Sequence, residues 1–302
     1  RQFLSGNRIP VWYRAEEIYC GIEAPITEGW EQDSDTLDTW FSSGLWTFST
    51  LGWPDIESPD FKTYHPTTII MPGYEIIFFW VARMILMSQY LLGVVPFKTV
   101  YLHGMVRDKN GKKFSKSANN GIDPIDVIKE YGTDALRMAF IVGAGPGNDI
   151  KFDTQKVKAY KNFANKLWNI TRFVLSSTEK VTYDSKFSNY THTDKELIKE
   201  RDEILTTITK EMKEYKFYLA GDKIYQYAWT RFADVIIEES KAILQGTNDA
   251  EKNSRAQFLL DTLVKIITTL HPFMPFVTEE IWSLLPINDK NLLIVTKWPI
   301  ND

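Results

Sequence analysis

The run His103-Gly104-Met105-Val106-Arg107-Asp108-Lys109-Asn110-Gly111-Lys112-Lys113-Phe114-Ser115-Lys116-Ser117, followed by Ile122-Asp123-Pro124 and Tyr131-Gly132-Thr133-Asp134-Ala135-Leu136-Arg137, decides how the chain is read. Val100 to Val106 reads as a short strand, Asn110-Gly111 as a tight turn, and Asp123-Pro124 as the opening of a helix. Lys113 and Lys116 therefore stand with Ser115 and Ser117 in a short loop between apolar segments. Ammonium groups on flexible stems can follow a polyphosphate whose charge moves as a bond breaks. Taken alone, the same loop is equally a solvated basic turn.

Upstream, Thr67 to Met71 is a second short apolar run, and Ile76 to Leu92 between the two has helical length. Strand, helix, strand is the crossover unit of an α/β sheet. The 17 residues of Ile76–Leu92 invite a membrane reading, but Arg83, Ser88 and Gln89 interrupt them, and a buried helix is expected instead. From Thr154 onward helical periodicity takes over: Val157, Tyr160, Ala164, Leu167 and Val174 form one stripe, while Lys158, Asn162, Asn165, Asn169 and Arg172 form another. Further helices are expected near Lys195–Lys216, Ala220–Leu244, Ala256–Leu270 and Pro275–Leu285, and a terminal strand at Leu292–Val295. The fold class is thus α/β followed by all-α, with domains at 1–153 and 154–302.

The 302 residues carry a formal charge of −4, which hides local excess. Lys98 to Lys116 holds six Lys/Arg against Asp108, and Gln155 to Arg172 holds five and no acid. Two basic neighbourhoods on an acidic chain point to a polyanion met at defined places. The single cysteine, Cys20, excludes an internal disulfide framework and any Cys-rich zinc site, which fits a cytoplasmic location. No secretory signal precedes the first motif.

Three groups stand out from position alone. Gly73-Tyr74-Glu75 follows the Thr67–Met71 strand and opens a helix, the place where α/β sheets bind nucleotides; Glu75 there either meets ribose hydroxyls or only favours the helix dipole. His103-Gly104 ends a strand where a residue without Cβ lets a base lie close to backbone, although His103 is equally readable as a satisfied structural histidine. Lys156, Lys158, Lys161, Lys166 and Arg172 are either phosphate contacts or a solvated helix face. The aromatics Tyr215, Phe217, Tyr218, Tyr225, Tyr227, Trp229 and Phe232 could stack on nucleic-acid bases, though most read as bundle core.

Gly111-Lys112-Lys113-Phe114-Ser115-Lys116-Ser117 and its flanks together resemble the Lys-Met-Ser-Lys-Ser loop of the class I aminoacyl-tRNA synthetases. Asp35-Thr36-Leu37-Asp38-Thr39-Trp40-Phe41-Ser42-Ser43-Gly44-Leu45-Trp46 and Gly73-Tyr74-Glu75-Ile76-Ile77-Phe78-Phe79-Trp80 are similar to the valine-specific members of that family. Asn162 to Asn169 and His271 to Trp282 extend the likeness over nearly the whole chain.

The resemblance implies the second half of a Rossmann-like catalytic domain followed by a helical anticodon-binding domain. It implies ligation of valine to tRNA-Val through valyl-adenylate, with ATP and its Mg²⁺ as substrate, no zinc or other protein-bound metal in this segment, no membrane, and a monomer. Lys113 and Lys116 would stabilise the departing pyrophosphate, Gly73, Glu75, His103, Gly104 and Lys116 would hold ATP, and Trp40 with Ile76 would wall the valine pocket. The basic stripe from Lys156 to Arg172 would meet tRNA. Phe114 stands for the consensus Met, Ala118 for a common Lys, Asn119 for a usual Gly, and Glu75 for the usual Asp. Because Arg1-Gln2 and Gly6-x-Arg8-Ile9-Pro10 match the second half of a family segment, the resemblance further implies a missing portion with the His-Ile-Gly-His-type loop and the editing domain. The fragment alone is then expected to be inactive. An isoleucine-specific relative and a non-catalytic tRNA-binding module are the alternatives.

Overall fold

The structure is a computed structural model that describes residues 8–114, 120–179, 181–287 and 291–299. The chain divides into two compact units, 1–104 and 105–302, each taken by itself below.

The first unit opens with an antiparallel sheet in the order β2-β1-β3, made of β1 (Val11–Arg14), β2 (Glu17–Cys20) and β3 (Glu31–Gln32). Three short helices follow: α1 (Thr39–Gly44), α2 (Trp46–Ser49) and α3 (Pro59–Tyr64). Asp38 caps α1 by accepting from Trp40 N at 3.2 Å, so the Asp-Thr-Trp sequence fixes where that helix begins. β4 (Thr67–Ile70) then pairs in parallel with β5 (Phe97–Val100), and the crossover between them is helical. That crossover is a 3₁₀ turn at Tyr74–Ile76, a π turn at Ile77–Val81 and α4 (Ala82–Leu92), stopped by Gly93.

Parallel pairing with an intervening helix is what the two apolar runs predict. Burial is not. Val81 and Met84 pack with Ile70, Phe97 and Trp80 into a small cluster, but Phe78, Phe79, Leu86 and Tyr90 are exposed. Only 17% of the Tyr74–Leu92 stretch is buried, and its length and mean hydropathy of 1.4 would suit a membrane span. The expectation of a buried helix is corrected for a physical reason: two strands cover one side of a helix, and a parallel sheet in an α/β fold is ordinarily covered on both faces.

In the second unit, β6 (Val106–Arg107) pairs in parallel with β7 (Ile150–Lys151), with α5 (Pro124–Tyr131) and α6 (Thr133–Ile141) between them. The expected single strand Val100–Val106 is thus two strand ends in separate units. After Asp153, which caps its helix through Gln155 N, come α7 (Thr154–Ser177) and α8 (His192–Lys213). α9 (Phe217–Gln226) continues through a π-helical stretch at Tyr227–Ile236 into α10 (Ile237–Gln245). α11 (Asp249–Leu270) and α12 (Pro275–Leu284) complete the bundle. The segment at Leu293–Val295 is a 3₁₀ turn rather than the expected strand.

Of the expected apolar stripe, Val157, Tyr160, Leu167 and Val174 are buried and Ala164 is half-buried; Phe163 and Ile170, outside that stripe, are buried as well, while Lys158, Asn162, Asn165, Asn169 and Arg172 all face solvent. One core unites this helix with Val127, Leu136, Met138, Val142 and Phe152. The stretch 105–153 therefore packs with the bundle and not as part of the first compact unit.

Candidate nucleotide and tRNA sites

In the first unit, the ends of β4 and β5 bring together the residues singled out for a nucleotide. Gly73 and His103 form a parallel bridge; His103 N donates to Pro72 O at 3.1 Å and Tyr74 N donates to His103 O at 3.3 Å. The Glu75 carboxylate folds back over Gly73, where any Cβ would meet it. The exposed His103 ring donates from Nδ1 to Gly104 O at 2.9 Å, so this histidine is held by the backbone beside the glycine pair and is not a buried structural residue. Gly73, Glu75, His103 and Gly104 are thus one neighbourhood, at the carboxyl ends of parallel strands and beside a helix start.

Trp40 is half-buried on α1 and stacks on Phe79 with centroids 5.6 Å apart and an interplanar angle of 28°. Phe79 was invisible to sequence reading as a site residue, since one aromatic in an Ile-Ile-Phe-Phe-Trp run has nothing to set it apart. Ile76 is half-buried where the 3₁₀ turn passes into the π turn.

In the second unit, Lys113 is exposed at the root of the signature loop and bridges Arg107 in antiparallel fashion. Ser115, Lys116, Ser117, Ala118 and Asn119 lie outside the described residues. The root itself is built around Asp108. Its Oδ1 accepts from Asn110 N at 2.9 Å and Lys112 N at 2.8 Å, and its Oδ2 accepts from the Asn120 amide at 2.9 Å. Asn120 also donates to Lys113 O at 3.2 Å, so one acid and one amide tie both ends of the loop together. These hydrogen bonds, Asn120 first, hold the Asp108 carboxyl below its ordinary range. Gly111, with φ of +81°, supplies the left-handed residue this turn requires. Asp-x-Asn-Gly was a legible turn signal for Asp108. For Asn120, twelve residues beyond Asp108, no local signal existed.

The basic stripe separates into two kinds of residue. Lys156 donates to Val142 O at 2.5 Å, and burial pushes its amine below the usual lysine range. Lys161 donates to Glu130 O at 2.7 Å and lies 5.8 Å from the Tyr131 ring centroid. Both amines serve carbonyls at the ends of α5 and α6, which stand as orphan acceptors unless something caps them. Lys166 pairs with Asp234 at 2.8 Å and lies over Trp229. Lys158 and Arg172 are exposed and carry no ion pair among the described residues. Of the aromatics, Tyr227 and Phe232 are core, while Tyr225 and Trp229 pack against Phe163. No group of three or more His, Cys, Asp or Glu side chains among the described residues is placed to hold a metal ion.

Comparison with known proteins agrees with this architecture. Residues 24–153 match the family described as tRNA synthetases class I (I, L, M and V), and residues 194–302 match the anticodon-binding domain of tRNA ligase. The chain belongs to the class I aminoacyl-tRNA synthetases. Its curated relatives are valine–tRNA ligases: it is 46% identical to that of Bacillus licheniformis over 99% of this chain and 34% of the relative. The counterpart in Geobacillus kaustophilus is 47% identical over 99% and 34%, and that of Streptococcus thermophilus 45% over 99% and 35%. The chain spans about a third of the length of these relatives.

Two solved structures share the fold. One is a ternary complex of Agrobacterium radiobacter LeuRS with tRNA and LeuAMS, at a TM-score of 0.76 and 19% identity, covering 97% of this chain and 40% of that one. The other is Mycobacterium tuberculosis methionyl-tRNA synthetase with methionyl-adenylate, at a TM-score of 0.68 and 20% identity, covering 91% and 53%.

Proposed function

We propose that these residues are part of a valine–tRNA ligase that activates valine with ATP and its Mg²⁺, releases pyrophosphate, and esterifies the 3′ end of tRNA-Val. The observation that carries this reading is 45–47% identity to valine–tRNA ligases over 99% of the chain. The first step asks little covalent chemistry of side chains. The valine carboxylate attacks the α-phosphorus in line, and catalysis is positioning plus charge stabilisation.

Gly73 and Glu75, with His103 and Gly104, would hold the adenosine. Glu75 offers two acceptor oxygens to ribose hydroxyls, and Gly104 lets the base approach the backbone. Trp40 and Ile76 would line the valine pocket, an indole and a branched alkyl group suited to an isopropyl side chain. Lys113 and Lys116 would meet the charge that gathers on pyrophosphate as it leaves. Residues 1–153 would serve catalysis and 154–302 tRNA. Lys158 and Arg172, exposed and without ion-pair partners, are the readiest of the basic stripe to meet phosphates, with Lys166 beside them; Lys156 and Lys161 would have to give up carbonyl partners first. We further read the enzyme as a cytoplasmic monomer.

The deciding experiment is ATP–pyrophosphate exchange on the full-length protein with valine, isoleucine and threonine. Valine-dependent exchange at the highest kcat/KM is expected. A preference for isoleucine would move the assignment to the isoleucine branch, and exchange with none of the three would leave a tRNA-binding role.

A further inference from the structure

The π turn at Ile77–Val81 brings two neighbouring aromatics to one helix. Successive side chains of an α-helix diverge by about 100°, and the wider i→i+5 turn narrows that divergence. Phe79 stacks on the Trp40 indole of α1. Trp80, next in sequence, donates its indole N–H to Ser43 O of the same helix at 2.9 Å, and its ring centroid lies 6.0 Å from that of Trp46. The backbone of α1 meets α4 at Gly44, where a Cβ would stand 3.4 Å from Arg83 Cβ and from Met87 Cγ.

The two contacts differ in kind. Trp80 is tied by a hydrogen bond that fixes its indole on α1. Trp40 has no such tie: among the described residues its indole makes no hydrogen bond, and its one ring contact is Phe79, 5.6 Å away at 28°. Asp38 holds the Trp40 backbone N–H, which fixes the start of the helix and leaves the side-chain torsions beyond Cβ to be chosen by what the ring meets. A near-parallel, offset pair of rings constrains angle as well as distance. Phe79 is also 51% exposed and lies outside the small cluster of Ile70, Val81, Met84 and Phe97. Its ring is thus spent on Trp40 and not on the core.

We propose that Phe79 is a positioning residue for amino-acid selection: by stacking on Trp40 it sets the tilt of that indole, and so the width of a pocket that admits an isopropyl group and refuses one more methylene. The inference rests on the reading of Trp40 as a wall of the valine pocket. A flat wall held at a fixed angle leaves no room for a longer branch, and a wall free to rotate yields it. Threonine is nearly isosteric with valine and differs in polarity, so the stack has no hold on it.

The test is pyrophosphate exchange by the full-length enzyme, without tRNA, dependent on valine, isoleucine or threonine. The variants are Phe79→Leu, Phe79→Tyr, Trp40→Leu and the double substitution Phe79→Leu with Trp40→Leu, each with its melting temperature. Phe79→Leu keeps apolar bulk and loses the ring. It is expected to raise the KM for valine about 3- to 10-fold with kcat nearly unchanged. The valine-to-isoleucine ratio of kcat/KM should fall by about 3- to 10-fold while the valine-to-threonine ratio holds. Phe79→Tyr keeps the ring and should behave as wild type. Phe79→Met, equally apolar and without a ring, gives the same reading where Phe79→Leu melts early. In the Trp40→Leu background, Phe79→Leu should change the isoleucine ratio little, because its effect passes through the indole. An unmoved ratio in a folded Phe79→Leu or Phe79→Met enzyme overturns the proposal, as does an equal effect with and without Trp40. A loss of kcat shared by all three amino acids, which a merely structural residue would give, overturns it too. A wild-type enzyme that does not activate valine removes the pocket reading and the proposal with it, whereas wild-type activation with an unmoved ratio removes the proposal alone.

Discussion

Arg255 Nε lies 2.6 Å from Asp194 Oδ1, and both side chains are 2% exposed. The pair joins α8 to α11, and hydroxyl groups supply further partners to both side chains. Asp194 Oδ2 accepts from Ser254 Oγ at 2.5 Å and Thr191 Oγ1 at 2.9 Å, and Arg255 donates to Ser240 Oγ at 3.0 Å. A buried pair of this kind is costly to break, because the partner left behind is an uncompensated charge. Arg255→Met alone is expected to destabilise the bundle by ~3–5 kcal/mol, and Asp194→Leu alone by a similar amount. The double variant should recover most of that loss, since two apolar side chains of similar volume leave no charge stranded. Denaturant unfolding of the four proteins measures the cycle, and a double variant no better than either single would contradict it.

The root of the signature loop gives a second prediction. Asn120→Ala removes the amide that bridges Asp108 Oδ2 and Lys113 O, and leaves every lysine side chain in place. In the full-length enzyme, kcat for valine activation should fall by about 10-fold or more with little change in the KM for valine, because a loop that stabilises departing charge acts in the transition state more than in the ground state. Lys116→Ala should follow the same pattern more strongly. A wild-type kcat in Lys116→Ala would make the loop structural and remove the clamp assignment.

The division within the basic stripe can be tested by salt. Lys158→Glu with Arg172→Glu should weaken tRNA binding and flatten the dependence of log K on log salt by ~0.7–0.9 for each lost phosphate contact, while melting stays near wild type. Lys156→Met and Lys161→Met should do the reverse, lowering the melting temperature through the freed Val142 and Glu130 carbonyls and leaving the salt slope nearly unchanged. Equal effects of both pairs on the slope would show that their hydrogen bonds do not decide which lysines reach tRNA.

What the sequence disclosed, and what it withheld, follows from the range of each interaction. The α7 stripes were legible because a 3.6-residue period writes burial directly into spacing, and Val157, Leu167 and Val174 are buried where the period puts them. Gly73, Glu75, His103 and Gly104 were legible as strand-end residues, and parallel pairing of β4 with β5 brought them together. The exposure of Phe78, Leu86 and Tyr90 was not, since an apolar helix face says that something should cover it and not what does. The fate of Lys156 and Lys161 was hidden for a related reason: their partners are backbone carbonyls 14 and 31 positions away, and carbonyls carry no sequence signal. Asp134 and Arg137 were visible only as members of a motif; that Asp134 accepts from the first turn of α12 and Arg137 donates to Pro272 O and Phe273 O in the turn before it required the fold.

His271 offers a pH prediction whose sign can be worked out. Its Nδ1–H donates to Thr278 Oγ1 at 2.8 Å, while the Thr278 hydroxyl donates to Met274 O at 2.7 Å, so Nε2 is the bare nitrogen and is buried without a partner. Glu279 lies 3.9 Å from it, and Asp134 and Arg137 also face the ring. Burial dominates and pushes the imidazole below its ordinary 6.5, against the opposing pull of Glu279 and Asp134. Between that lowered value and 6.5 the unfolded chain binds more protons than the folded one, so stability contributed by neutral His271 is complete above about 6.5 and is lost as pH falls through the folded value. Asp134 works in the opposite sense at lower pH, because burial raises its carboxyl, and what it contributes is present below its unfolded value and lost as pH rises through the folded one. The two are separated by His271→Asn, which keeps a donor for Thr278 and removes the titration. Melting should drop between about pH 7.5 and pH 5.5 in the wild type and drop less in His271→Asn. Parallel melting curves for the two proteins across that interval would place the acid sensitivity elsewhere in the molecule.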